Sequence, residues 1–202
     1  MKICVYAICK NEEKFVDRWV DSMKEADSIY VLDTGSTDGT WEVLQDANII
    51  CAQKIIEPFR FDVARNEALN LVPEDCDICF PLEMDMYLCP GWANMLKYAW
   101  APDISILKVP QYFKTNNTNG YWIAHAREGG AWHYPVYEVY KRPGRVAETY
   151  APIIIHDWDV KKSSHDMYLE LAELAVKENP LDPYCRRTRR TILKEQEERK
   201  QI

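Results

Sequence analysis

Four short apolar runs, Lys2–Ile8, Ile29–Leu32, Ile49–Ile56 and Ile78–Leu82, alternate with stretches of helical character at the start of the chain. Runs that are apolar almost throughout read as strands buried on both faces. A helix between two such strands serves as the crossover that joins parallel neighbours. The alternation therefore predicts an α/β fold whose mostly parallel central sheet is flanked by helices. Between the first two runs, Phe15, Val16, Trp19, Val20 and Met23 form an amphipathic stripe, with Asn11 expected as its cap. A second helix is expected from near Trp41 to Asp46, capped by Thr37 or Asp38, and a third over Phe61–Leu71.

The second half differs. Ile104–Phe113 reads as a strand, Lys114–Gly120 as a polar loop, and Trp132–Tyr140 and Ile153–Ile155 as shorter strands. These predict mixed or antiparallel strands added to the parallel core. From Ser164 the pattern is helical again, with Met167, Leu171, Leu174 and Ala175 on one face. Asn179-Pro180 ends that helix, and Asp182-Pro183 starts a last one, with Asp as cap and Pro in the first turn. The last helix is mostly charged and expected to be exposed or frayed. The expected organisation is a body over residues 1–160 and a short helical appendage over 161–202.

Charge narrows the function. The chain of 202 residues carries a net −7, while residues 161–202 hold ten Lys/Arg against eight Asp/Glu. The acidity thus resides in the body, which argues against a general nucleic-acid binder. Arg186, Arg187, Arg189 and Arg190 form a local basic exception. It reads first as a solvated helix face balanced by Glu195, Glu197 and Glu198. The apolar run Ile3–Cys9 is too short for a signal peptide or a membrane span, which makes a cytoplasmic protein the expectation. Seven cysteines without an export segment read as reduced thiols. Cys76 and Cys79 have zinc-ligand spacing but no second pair, and Cys79 lies in a buried strand.

Two acidic features stand at strand ends. Val31–Thr40 reads V-L-D-T-G-S-T-D-G-T, so Asp33 ends an apolar run and precedes a Gly/Ser/Thr turn, where open α/β sheets bind ligands. Glu83 and Asp85 follow the fourth run. Extended backbone would put both on one face, an arrangement suited to Mg²⁺ or Mn²⁺ shared with substrate phosphates.

The stretches Ile8–Glu13 (I-C-K-N-E-E), Val31–Thr40, Ala64–Leu69 (A-R-N-E-A-L) and Leu82–Asp85 (L-E-M-D) together resemble a family 2 glycosyltransferase of the GT-A, Rossmann-like fold. Weaker matches follow at Pro135–Glu138 and Ile153–Asp157. The resemblance covers residues 1–160, and the tail resembles the first helices of a repeat segment that follows this domain in bacterial members.

The resemblance implies a metal-dependent, inverting hexosyltransferase using a nucleoside-diphosphate sugar, UDP-linked by preference. It implies Ile8 and Asn11 near the nucleotide base, Asp33 on base or ribose, and Arg65 on the nucleotide or its diphosphate. Glu83 and Asp85 stand at the family's Asp-x-Asp, with Asp85 the metal ligand. His156 adds a metal or phosphate contact, and Glu138 is the implied base for the acceptor hydroxyl. Glu83 departs from the commoner aspartate, Met86 from an acidic residue, and Tyr137 from a histidine. By residue chemistry alone, Arg65 also reads as a helix-surface ion-pair partner, His156 as a satisfied strand-end histidine, and Glu138 as solvent-facing. Trp122, Trp132 and Tyr134 read as core before ligand stacking, and His125, His133 and His165 have no evident partner.

Two other readings compete. A nucleotidyltransferase or Rossmann dehydrogenase would need glycines after the first strand, where the chain reads Cys9-Lys10-Asn11-Glu12-Glu13. A nucleotide-sugar-binding module without turnover stays open. The acceptor is open between a saccharide, a protein and a hydroxymethylated DNA base. The last, as in viral transferases acting in a host cytoplasm, would give the arginine run a polyanion to hold.

Overall fold

The computed structural model describes residues 1–114, 118–157 and 165–199. β1 (Ile3–Cys9), β2 (Ser28–Asp33), β3 (Ile50–Gln53) and β4 (Ile78–Pro81) alternate with α1 (Glu13–Ser22), α2 (Thr40–Asp46) and α3 (Phe61–Leu71). These are followed by β5 (Met86–Leu88), α4 (Trp92–Ala99), β6 (Ile104–Phe113), β7 (Thr118–His125), β8 (Ala131–His133), β9 (Val139–Lys141), β10 (Arg145–Glu148) and β11 (Ile154–His156). Two helices, α5 (His165–Glu178) and α6 (Pro183–Arg199), come last.

One mixed sheet runs in the order β3-β2-β1-β4-β7-β6-β11-β5, with β10 also paired to β6. Its first four strands are parallel. β7 is antiparallel to both β4 and β6, and β11 is parallel to β6 but antiparallel to β5. β8 and β9 form a separate hairpin.

β1 explains why the apolar runs are continuous. Every residue of it is buried, and successive side chains serve opposite faces. Ile3, Val5, Ala7 and Cys9 pack with Val16, Trp19 and Met23 of the α1 side and with Trp92 and Leu96 of α4. Cys4, Tyr6 and Ile8 pack with Ala64, Ala68 and Leu69 of α3 and with Trp132 and Tyr140.

Several expectations change. Glu12, not Asn11, holds the N-cap position of α1, without a side-chain capping bond. Asn11 instead takes a left-handed φ of 57° and ties to the next loop. β3 stops at Gln53 because its partner β2 runs out at Asp33. Trp132–Tyr140 divides into β8 and β9 around left-handed Tyr134 and Tyr137. Thr118–Gly120, expected in a loop, belong to β7, and residues 115–117 lie outside the described residues. The same holds for the expected body–appendage boundary at 160 and 161, the helix start at Ser164 and the side chain of His165.

The last helix is not merely exposed. Cys185, Thr188 and Ile192 of α6 are buried, and Ile192 shares a core with Leu171 and Ala172 of α5 and with Val136. All seven cysteines are free thiols. No helix among the described residues is long and apolar enough to cross a membrane.

Candidate active site

A cavity of about 880 Å³ opens at the carboxyl ends of β1, β6 and β11 and beside the turn after β4. This is the edge where parallel α/β sheets place ligands, and the volume suits a ligand of nucleotide-sugar size. The β1–α1 segment contributes Ile8, Cys9, Lys10, Asn11 and Lys14 to the wall, joined by Thr34 after β2.

Asp33 lies beneath this wall, fully buried. Its Oδ1 accepts from the backbone N–H of Gly35 (3.2 Å) and Ser36 (3.0 Å) and from Ser36 Oγ (2.7 Å). Its Oδ2 accepts from Gln53 Nε2 at 2.8 Å. The carboxylate thereby shapes the Gly/Ser/Thr turn itself, as Asp does when it bonds its own downstream backbone. Ser36 Oγ accepts the Asn11 N–H at 2.9 Å, and Asn11 Oδ1 accepts the Thr37 N–H at 2.7 Å. Asp33 and Asn11 are thus brought together, Asn11 on the wall and Asp33 one layer behind it.

The acidic pair does not sit in extended backbone. Met86 N–H bonds to the Glu83 carbonyl at 3.0 Å, which closes a turn and sends the two side chains to different partners. Asp85 is buried and its Oδ2 lies 3.3 Å from His156 Nε2. β11 supplies the histidine, and the Asp157 N–H bonds to the Asp85 carbonyl at 2.9 Å, locking the two segments. Gln111 of β6 holds His156 Nδ1 at 2.8 Å, which aims Nε2 at Asp85. Among the described residues no group of three or more His, Cys, Asp and Glu is arranged to hold a metal alone. One carboxylate and one imidazole fit a cation that takes its remaining ligands from substrate phosphates and water.

Glu83 turns toward Arg65. This arginine, on α3, is 1% exposed and does not reach the cavity wall, contrary to a direct diphosphate contact. Its Nε donates to Glu138 Oε1 at 2.6 Å, and its Nη2 donates to Glu83 Oε1. The guanidinium lies 5.5 Å from the Trp122 ring and 5.2 Å from the Trp132 ring. Burial pulls its pKa down, but the two carboxylates outweigh burial and hold it above the usual arginine value. Both carboxylates line the cavity, so Arg65 fixes them from behind.

Behind Arg65 runs a buried polar chain. Trp132 Nε1 donates to Tyr6 Oη at 2.8 Å, and Tyr6 Oη lies 2.7 Å from His125 Nε2. His125 Nδ1 bonds to the Ala126 carbonyl at 2.8 Å, and Tyr140 stacks on the ring at 3.7 Å. With Nδ1–H donating to the Ala126 carbonyl, the neutral ring accepts the Tyr6 hydroxyl at Nε2. Burial pushes the His125 pKa down to about 3. Trp122 thus serves the wall and Trp132 the support, while Tyr134 bonds to Asp182 at 2.5 Å outside the cavity. His133 is exposed.

The remaining wall is mostly aromatic. Phe59, Phe61, Val136, Tyr137, Met167 and Tyr168 form one side of it, with Glu12, Phe15, Met86 and Phe113 elsewhere on the lining, so α5 takes part in the site. Tyr137 holds φ at 49°, and its carbonyl accepts from Tyr184 Oη of α6 at 2.6 Å. The arginine run lies elsewhere. Arg189 pairs with Glu173 at 3.4 Å, Arg186 reaches the Leu181 carbonyl and Arg190 the Arg186 carbonyl. Arg186, Arg187, Arg189 and Arg190 do not line the cavity.

Sequence reading missed Lys10, Lys14 and Gln111. The lysines carried a usable signal, as the first cations after a buried strand. Gln111 carried none, since its value depends on which strand lies beside it.

The sequence model described as Glycosyl transferase family 2 matches residues 4–155. Among solved structures, S. aureus TarS is similar with a TM-score of 0.56 at 13% identity, over 88% of this chain and 39% of that one. A structure of S. aureus TarS residues 1–349 gives 0.54 at 13% identity, over 88% of this chain and 65% of that one. The Mycobacterium tuberculosis glucosyl-3-phosphoglycerate synthase with Mn²⁺, uridine diphosphate and phosphoglyceric acid gives 0.50 at 18% identity, over 63% and 56% of the two chains. The chain thus spans roughly two-fifths to two-thirds of the length of these structures. No curated protein matches it. The shared architecture is the GT-A fold.

Proposed function

From the premise that this chain belongs to glycosyl transferase family 2, we propose that it moves a hexosyl group from a UDP-sugar to an acceptor hydroxyl with inversion. The observation that carries this reading is that Asp85–His156 and Glu138–Arg65–Glu83 converge on one cavity at the sheet's carboxyl edge.

In this reading Ile8, Asn11 and Thr34 receive the nucleotide, and Asp33 holds their loop in shape. Lys10 and Lys14 face the phosphates, and Asp85 and His156 hold Mn²⁺ or Mg²⁺. When bound, the cation neutralises charge on the departing diphosphate. Glu138 takes the acceptor proton, a role that requires hydrogen-bond reach of the hydroxyl. Since Glu138 Oε1 already accepts from Arg65, proton uptake falls to Oε2. Glu83 is held short of the metal by Arg65 and serves the ribose or the sugar.

The test is UDP binding by calorimetry and donor turnover, each with and without Mn²⁺. Mn²⁺-dependent UDP binding is expected, together with sugar release that falls by about 10²–10⁴ in Glu138→Gln. The grip of Arg65 on Glu138 favours one further reading, a donor-binding module with weakened turnover. Mn²⁺-dependent binding with no release or transfer across donors and acceptors would select it. Absence of UDP binding would remove both.

A further inference from the structure

The aromatic wall is built from three distant segments. Phe59 and Phe61 meet edge to face at 5.0 Å, Phe61 and Tyr168 at 5.6 Å, and Tyr137 and Tyr168 at 6.2 Å. Val136 and Met167 also line the cavity and share a packed cluster with Phe61 and Tyr168. None of these six side chains carries a formal charge, and the wall leads along the chain from Tyr137 straight to Glu138.

Its position is held from outside the sheet. Tyr137 is fixed at both ends by α6, its carbonyl by Tyr184 Oη and its own hydroxyl by Glu195 Oε2 at 3.2 Å. A left-handed φ at a bulky residue is costly and persists only when neighbours impose it. Val136 beside it shares a core with Leu171, Ala172 and Ile192. The two terminal helices therefore set both the wall and the approach to Glu138.

We infer that this wall is the acceptor subsite, contributed in part by α5, and that it takes a neutral pyranose ring. The inference rests on the transferase reading for its second substrate. A pyranose offers one face of C–H bonds and a rim of hydroxyls. The C–H face packs on the flat face of an uncharged aromatic ring, and a rim hydroxyl then lies toward Glu138. A nucleic-acid acceptor would also stack, but its backbone needs cations beside the stacking surface. The cavity's lysines sit on the β1–α1 segment, and Arg186, Arg187, Arg189 and Arg190 do not reach the cavity at all.

Saturation-transfer NMR with the methyl β-pyranosides of glucose, galactose and N-acetylglucosamine tests this, each with and without UDP and Mn²⁺. At least one glycoside is expected to bind wild-type protein. Its affinity should fall at least about tenfold in Tyr168→Leu, which keeps apolar volume and removes the flat ring, and stay within about twofold in Tyr168→Phe. UDP affinity should be unchanged in both. The inference is overturned if wild-type protein binds UDP but no pyranoside, or if Tyr168→Leu binds the glycoside like wild type. It also falls if a duplex containing 5-hydroxymethylcytosine binds, salt-dependently, where the pyranosides do not. Pyranoside binding without UDP binding would leave the ring subsite standing and sink the donor reading instead.

Discussion

Arg65 donates from Nε to Glu138 Oε1 at 2.6 Å while only 1% of the arginine is exposed. One buried cation thus serves two carboxylates, and the second, Glu83, shares the same guanidinium.

Removing that cation leaves two carboxylates close together without compensation. Arg65→Met is expected to cost about 3–5 kcal/mol of unfolding free energy, read by urea unfolding at pH 7. Adding Glu83→Gln and Glu138→Gln to Arg65→Met should recover much of the loss. A loss of less than about 1 kcal/mol in the single variant would show that the pair contributes little.

Gln111 holds His156 Nδ1 at 2.8 Å, so in the proposed site it would act through the imidazole on a cation held there. Gln111→Leu should weaken Mn²⁺ affinity by about 10–100-fold in calorimetric titrations of the UDP-saturated protein. UDP affinity without metal should not change.

Lys10 and Lys14 are both exposed yet line the cavity. Lys10→Ala and Lys14→Ala should each raise the UDP dissociation constant about three- to tenfold, in keeping with an exposed charge contact of about 1 kcal/mol. The difference should shrink as salt is added, and uridine binding should stay at the wild-type level.

His125 makes stability depend on pH. Its folded-state pKa of about 3 lies below the ordinary histidine value, so the unfolded chain binds the proton more readily. The stabilisation is complete above about pH 6.5 and is lost as pH falls toward the folded value, at about 1.4 kcal/mol per pH unit. His125→Gln removes this contribution. The difference in unfolding free energy between wild type and His125→Gln should therefore hold constant above about pH 6.5 and narrow from there to pH 4. A difference that stays constant down to pH 4 would show that His125 does not titrate on unfolding.

The legible parts were those set by local pattern. Phe61–Leu71 and Ile104–Phe113 coincide with α3 and β6. The carboxyl-edge position of Asp33 follows from an apolar run ending on a charge. Other features depend on partners far away in sequence. Arg65 read as diphosphate contact or surface ion pair because nothing near it announces Trp122, Trp132 or the two glutamates. The spacing of Glu83 and Asp85 implies one face only in extended backbone, and the turn closed by Met86 N–H on the Glu83 carbonyl separates them. α4 and β5 went unseen, being short segments around Pro90-Gly91. The burial of α6 depends on α5 and on Tyr134 and Val136, forty and more residues upstream.

The two parts of the cavity wall are distributed differently along the chain. The proposed donor side comes mainly from one continuous stretch, Ile8 to Lys14, tied to the adjacent loop through Asn11 and Ser36. The aromatic side is gathered from Phe59 and Phe61, Val136 and Tyr137, and Met167 and Tyr168. A stretch continuous in sequence can be held fixed as one block, whereas a surface drawn from three places changes shape with a substitution at any of them. Libraries meant to redirect this scaffold can leave the first cassette untouched and vary the three scattered segments together.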